Sequence, residues 1–238
     1  MRMRHKVLCL ILLFALALVC AFYALTPLIY RAHMNEAVAE NTEKFYETTT
    51  EVFEESVQSN ELPYMDLLLD MQNYNAMLCA TAQESLSSKE SYEIPAFSLM
   101  EYGLDDEIFG VINIPKLNVE LPIFLGANEA NMAKGAAILS HTSIPLGSAD
   151  TNAVIAGHRG WYGYKFFSDI ELLELDDEVR ITNLWQTMYY KVVDIQIVSP
   201  DDVDAIHIQP GRELITLLTC HPPNTGGRYR YLVFYERV

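Results

Sequence analysis

From Val7 to Tyr30 the chain carries no charged residue, and most positions are Leu, Ala, Val, Ile, Phe or Cys. No other feature limits its folding so strongly. At about 1.5 Å per residue, a helix of this length crosses the roughly 30 Å hydrocarbon core of a bilayer. Arg2, Arg4 and Lys6 precede the run and Arg31 follows it, which favours a cytoplasmic N-terminus. A cleaved leader is the competing reading; its apolar region runs about 7–15 residues and ends in a small-x-small site. Here the run is longer, and Ala21-Phe22-Tyr23-Ala24 passes into Leu25-Thr26-Pro27 without a good site. Cys20 after Leu18-Val19 matches a lipoprotein cleavage box poorly. An uncleaved signal anchor is expected. A single pass is expected too, since no second apolar span follows before Val238.

Charge divides at the same place. Residues 1–31 hold four of the 16 bases and none of the 32 acids, which leaves 12 bases against 32 acids, a net of −20, in the remainder. Such a surface repels nucleic acid and anionic lipid, so no nucleic-acid partner is expected. Of the four cysteines, Cys9 and Cys20 lie in the apolar span. Cys79 and Cys220 are left outside it. A disulfide between those two is conceivable but makes no framework, and a thiol kept for its chemistry is the alternative.

Three parts are predicted: a cytoplasmic tip and transmembrane anchor over 1–31, a helical arm and linker over 32–100, and a β domain over 101–238. In the arm, Ala37, Phe45, Val52 and Phe53 recur among Glu and Thr, an amphipathic helical pattern. Pro63 interrupts it, a second helical stretch begins around Leu67, and the polar segment Glu84–Glu93 reads as a linker. From Ile108 the texture changes to short β-type runs: Gly110–Pro115, Val119–Phe124, Ala136–Leu139, Ala153–Ala156, Glu178–Thr182, Thr187–Ser199, Leu214–Thr219 and Tyr231–Tyr235. Phe166–Leu173 predicts a helix among them. Eight or so short strands in this span favour a closed or nearly closed barrel over a parallel sheet.

Two segments carry candidate chemistry. Asn152-Ala153-Val154-Ile155-Ala156 runs into Gly157-His158, so His158 is expected at a strand end where a glycine relieves crowding. Ile215-Thr216-Leu217-Leu218-Thr219 delivers Cys220, and after His221 the pair Pro222-Pro223 stops strand pairing. If the stretch from Pro222 to Gly227 is a turn, the chain reverses and brings Arg230 beside Cys220. A thiolate attacks carbonyls, an imidazole moves the proton, and a guanidinium holds developing oxygen charge. His221 alternates away from its neighbour in a strand. His141, His207, His5 and His33 lie on other segments. The acids Asp105, Asp106, Asp176, Asp177, Asp201 and Asp202 lack EF-hand spacing, so neither a metal nor a cofactor is expected.

Taken in order, these segments resemble the sortase family. Thr216-Leu217-Leu218-Thr219-Cys220 is similar to its TLxTC signature and Ala156-Gly157-His158 to its histidine segment. Phe166-Phe167-Ser168-Asp169-Ile170 resembles the helix that follows, and Arg230 with Leu232 and Phe234 its arginine strand. Gly110-Val111-Ile112-Asn113-Ile114-Pro115-Lys116-Leu117 resembles the opening strand. The resemblance implies an eight-stranded sortase-type β-barrel with short helices, preceded by an α-helical N-terminal arm and one transmembrane helix, on the outer face of a Gram-positive cell. It further implies a cysteine transpeptidase with Cys220, His158 and Arg230 as catalytic residues. Its partners would be LPxTG-like surface or pilin proteins and an amine acceptor, either a pilin lysine or a peptidoglycan cross-bridge.

Lys134-Gly135-Ala136, Thr142–Gly147 and the long arm resemble class C, the pilin-polymerising type. Against that class, Ile94-Pro95-Ala96-Phe97 lacks the Asp of an Asp-Pro-aromatic lid, and no C-terminal apolar helix is present. An L,D-transpeptidase would need a Ser-x-Gly-Cys motif, and a papain-like protease normally places Cys before His. Neither pattern is found. A non-catalytic tethered scaffold that binds sorting signals is the remaining alternative.

Overall fold

The apolar run and the acidic arm after it form one helix. The computed structural model describes residues 2–59, 61–88, 94–104, 107–160, 164–223 and 225–238. Helix α1 (Arg2–Ser59) passes Arg31 without a break, and at 1.5 Å per residue it is about 87 Å long. Mean hydropathy reaches 2.9 in its most apolar stretch, and it alone among the described residues is long and apolar enough to cross a membrane. Leu10, Phe14 and Phe22 stand exposed along that stretch. Pro27 has no N–H to donate, and the neighbouring Thr26 hydroxyl donates to the Phe22 carbonyl at 2.7 Å.

Beyond the apolar run α1 becomes one-sided. Val38, Thr42, Phe45 and Val52 are buried, a helical spacing that turns one stripe towards a core. Pro63 lies in the break before α2 (Met65–Ala80), which buries Leu67, Met71, Asn75 and Leu78. Asn75 is satisfied on both sides of its amide: Nδ2 donates to the Ile144 carbonyl and Oδ1 accepts from the Ile144 N–H, each at 2.8 Å. A buried amide paired in this way fixes α2 against the loop before the fourth strand.

The β domain has eight strands: β1 (Ile108–Ile114), β2 (Val119–Leu125), β3 (Ala136–Ile138), β4 (Thr151–Ala156), β5 (Glu178–Asn183), β6 (Thr187–Val198), β7 (Glu213–His221) and β8 (Tyr229–Arg237). They close into a barrel in the order β1-β2-β3-β4-β7-β8-β6-β5. The pairs β2–β3 and β4–β7 are parallel and the other registered pairs antiparallel. All eight strand expectations are met, and the barrel is closed. Every residue of β4 is buried, because its inner face meets the core and its outer face a second apolar cluster. Strands covered on both faces read as continuous apolar runs in sequence.

Two expectations fail. Phe166–Leu173 is not an α-helix; only Ile170–Leu172 makes a single 3-10 turn. Phe166 takes a left-handed φ of +38°, and the Phe167 N–H is committed to the His158 carbonyl at 3.0 Å. Burial of Phe166, Phe167 and Ile170 outweighs the weak helical tendency of so short a segment. Nor is Glu84–Glu93 wholly a linker. Residues 84–88 form turns packed on the barrel, with Leu86 buried against Leu139, Val154, Ala156, Ile206, Leu232 and Phe234. Residues 89–93, and the acid pair Asp105-Asp106, lie outside the described residues. Cys20, Cys79 and Cys220 are free thiols.

Candidate active site

Register alone brings three of the singled-out residues together. Strands β4 and β7 are parallel neighbours with Ala156 opposite Leu218, so their C-terminal ends lie at the same rim. Carried two residues further, that register sets His158 level with Cys220, about one strand spacing of 4.8 Å to the side. On the other side, β7 and β8 are antiparallel with Cys220 directly opposite Arg230. His158, Cys220 and Arg230 therefore stand in a row across three adjacent strands.

The pleat decides which way they point. Ala153, Ile155, Ile215, Leu217, Tyr231 and Val233 fill the barrel interior, while Val154, Ala156 and Leu232 belong to the cluster outside it, with Leu218 packed against them. Alternation with period two puts Cys220 and Arg230 on the outer face with Leu218 and Leu232. His158 shares the parity of Val154 and Ala156. Thr219 and Tyr231 fall on the inner face, and both are buried.

Each group has a distinct setting. Cys220 is exposed. The Arg230 guanidinium donates from Nη1 to the Gly227 carbonyl at 2.8 Å and to the Tyr229 carbonyl at 3.2 Å. Gly227 lies between the two candidates: a Cβ there would come within 3.0 Å of Arg230 Nη1 and 3.1 Å of Cys220 Sγ. Its φ of +76° is also one that glycine adopts without strain. His158 is partly buried, its ring edge-on to Phe166 at 6.1 Å. Burial holds its pKa below the ordinary imidazole value, and the Glu129 carboxylate offsets this only in part. The preceding Gly157 has no room for a side chain, since a Cβ would meet the Phe167 ring at 2.5 Å. The glycine does relieve crowding there.

Beside the row lies a packed apolar cluster. Val198, Val203 and Ala205, from the end of β6 and the β6–β7 connection, pack with Ile206 against Leu218 and Leu232, and Leu86 sits in the same cluster. Gln83 fastens that segment at two points: Nε2 donates to the His141 carbonyl at 3.0 Å, and Oε1 accepts from the Ile208 N–H at 2.7 Å. A cleft of about 1300 Å³ lies elsewhere, between α1 and the β1–β2 hairpin, and is lined by Glu43, Glu47, Glu51 and Arg180 among others. None of the three row residues lines it.

The other histidines stand apart from the row. His141, at a left-handed φ of +62°, is held by its backbone N–H to the Tyr74 hydroxyl at 2.9 Å. His207 lies 3.6 Å from Asp204 on the β6–β7 connection. His221 turns to the side opposite Cys220 and contacts Glu171 at 3.0 Å. Arg228 precedes β8 in the exposed turn. Sequence reasoning missed Gly227, Glu171, Tyr231 and, above all, Arg159. Its place directly after Gly157-His158 was the one signal that pointed to it. Among the described residues no three His, Cys, Asp or Glu side chains gather as a metal site.

An exposed thiol, a half-buried imidazole and a guanidinium brought together by register are the components of acyl transfer. A family model described as the sortase domain matches residues 112–238. Sortase D of Bacillus subtilis (strain 168) is 30% identical over 131 residues, which cover 54% of this chain and 63% of that protein. The chain spans 50–63% of the length of the curated relatives it matches. Among solved structures, sortase C1 of GBS pilus island 1 is 27% identical with a TM-score of 0.70, covering 84% of this chain and 98% of that one. A sortase C from Clostridium perfringens, solved with the C-terminal cell wall sorting motif, is 29% identical with a TM-score of 0.62. It covers 79% of this chain and 98% of that one. The structural likeness thus reaches into the helical arm, which the sequence matches do not cover.

Proposed function

The chain belongs to the sortase family, and on that premise we propose that it is a membrane-anchored cysteine transpeptidase of the class C, pilin-associated type. It cuts an LPxTG-like sorting signal between Thr and Gly and passes the new acyl group to an amine. His158 takes the proton of the Cys220 thiol, and the thiolate attacks the scissile carbonyl. The C–N bond breaks as the His158 imidazolium returns that proton to the departing glycine amine. A thioester remains. The incoming amine attacks it, loses a proton to His158, and expels the Cys220 sulfur. Arg230 binds the substrate at that centre and stabilises the developing oxygen charge. The chemistry needs no cofactor.

What supports this reading is register: Cys220 pairs with Arg230 across β7 and β8, and the β4–β7 pairing carried two residues past Ala156 brings His158 level with Cys220. The apolar run of α1 anchors the chain in the cell membrane, and the bases before that run keep the barrel outside. In this scheme 1–31 is tip and anchor, 32–100 the arm and 101–238 the catalytic barrel. The likeness to class C structures supports a pilin lysine as the acceptor amine, with a peptidoglycan cross-bridge as the other candidate.

The test is to incubate the full chain in detergent micelles with an LPxTG-type peptide and an amine, and to read the products by mass spectrometry. A thioester on Cys220 and an amide product are expected, and both vanish in Cys220→Ala. Cleavage that survives in Cys220→Ala sinks the mechanism. The preferred amine assigns the acceptor.

A further inference from the structure

Three successive ties join the histidine segment to the strand that delivers the cysteine. The Gly157 N–H donates to the Leu218 carbonyl at 3.0 Å. The Thr219 hydroxyl donates to the Gly157 carbonyl at 2.7 Å. Then, where the backbone ladder has ended, the Arg159 guanidinium donates from Nη1 to the Cys220 carbonyl at 3.3 Å. His158 is thereby held between two residues that both grip β7, one of them at Cys220 itself.

The guanidinium is fixed in turn. Its Nη2 lies 2.7 Å from Glu171 Oε1 on the 3-10 turn, with the Arg159 side chain only 4% exposed. Nη1 also meets His221 Nδ1 at 3.1 Å, and the group lies 5.6 Å from the centroid of the Tyr231 ring. His221 Nδ1 and Glu171 Oε1 are 3.0 Å apart, which closes the cluster. All of this sits behind the sheet, on the face away from Cys220 Sγ. A buried ion pair adds little to stability compared with apolar packing of the same volume, and here Arg159 Nε is buried with no hydrogen-bond partner among the described residues. What the cluster does supply is geometry: one planar, forked cation that spans the histidine segment, the cysteine strand and the 3-10 turn.

We propose that Arg159 is a positioning residue, whose clamp on the Cys220 carbonyl sets the distance between the His158 imidazole and the Cys220 thiol. The inference rests on the transpeptidase reading for its purpose, but its test does not use that reaction. In the full chain in micelles, with Cys9, Cys20 and Cys79 replaced by Ala, the rate of Cys220 alkylation by iodoacetamide is followed against pH. The variants are the parent, Arg159→Met, His158→Ala and the double variant, each checked for folding by its melting curve.

Arg159→Met is expected to slow alkylation at neutral pH by about tenfold and to move the pH profile in the same sense as His158→Ala, since loss of a placed proton partner is worth at least that much. The double variant should match His158→Ala alone, because groups acting through one another are not additive. A profile for Arg159→Met that overlays the parent overturns the proposal. So does a shift of equal size in the His158→Ala background, which marks a purely structural cation. A profile unmoved by His158→Ala overturns it too, since nothing then remains to be positioned. If Arg159→Met fails to fold, Glu171→Gln carries the same cycle from a half-exposed position, with a smaller shift in the same direction. Failure of the peptide assay in the parent would sink the transpeptidase reading and leave this cycle intact.

Discussion

The two faces of the β7–β8 rim, separated by one residue in the pleat, are built on opposite plans. On the outer face Cys220 is exposed and Arg230 is held through carbonyls of its own turn. On the inner face Thr219, Tyr231, His221, Arg159 and Glu171 form a continuous set of contacts that ties the histidine segment to the strand. On the proposed reading, the reactive groups on the outer face keep access to substrate, and rigidity is supplied from behind. A site needs both, since placement within a fraction of an ångström is worth orders of magnitude in rate.

The comparison breaks most sharply at Gly227, where the outer face is tight. Gly227→Ala forces a Cβ between Sγ and the guanidinium at a left-handed φ. Thioester formation is expected to fall by about 100-fold, with a loss of stability of about 1 kcal/mol. Single-turnover mass spectrometry and a thermal melt check both. A variant with parent-like thioester formation would show that the two groups are free to move apart.

An inner-face change of similar size should invert the pattern. Thr219→Val removes the hydroxyl that the Gly157 carbonyl accepts from and keeps the shape. The expected loss is about 1 kcal/mol, read by urea denaturation, with a several-fold fall in kcat and little change in KM as the histidine segment loosens. A change in KM alone would contradict the division of labour between the faces.

The smallest effect is the pH dependence of stability that comes from His158. Burial holds its folded pKa below the ordinary value of about 6.5. As the pH falls past about 6.5, the unfolded chain therefore takes up the proton first. Stability is lost from there down through the lower folded pKa. The melting temperature of the parent should fall more steeply between pH 7.5 and 5 than that of His158→Gln, measured side by side in the same buffers. Equal slopes would place the acid sensitivity in other groups.

Much of this arrangement was legible in the residues. The anchor follows from 24 uncharged positions, and the strands from short apolar runs bounded by turn formers. The pairing of Cys220 with Arg230 was legible because a tight turn between adjacent strands turns sequence distance into register. The histidine was harder. His158 and Cys220 are 62 positions apart in the numbering, and their adjacency rests on β4 and β7 being parallel neighbours, which only the ordered resemblance to a known family implied. The misreadings were local. Phe166–Leu173 carries a helical pattern, but its aromatic side chains serve the core and the Phe167 N–H serves the His158 carbonyl. Glu84–Glu93 is polar, but one leucine in it, Leu86, joins an apolar cluster on the barrel.

By itself, then, the sequence determined what local rules can encode: a span long enough for a bilayer, an amphipathic arm and eight strands, with the thiol, imidazole and guanidinium as candidates that the family resemblance singled out. The tertiary structure decided closure of the barrel, which strands became neighbours, the continuation of α1 past Arg31, and the partners of Arg159. The physical reason is range. Periodicity, turn chemistry and charge act over a few residues and can be read in order, whereas a buried cation such as Arg159 finds Glu171, His221 and the Cys220 carbonyl only after distant segments have packed.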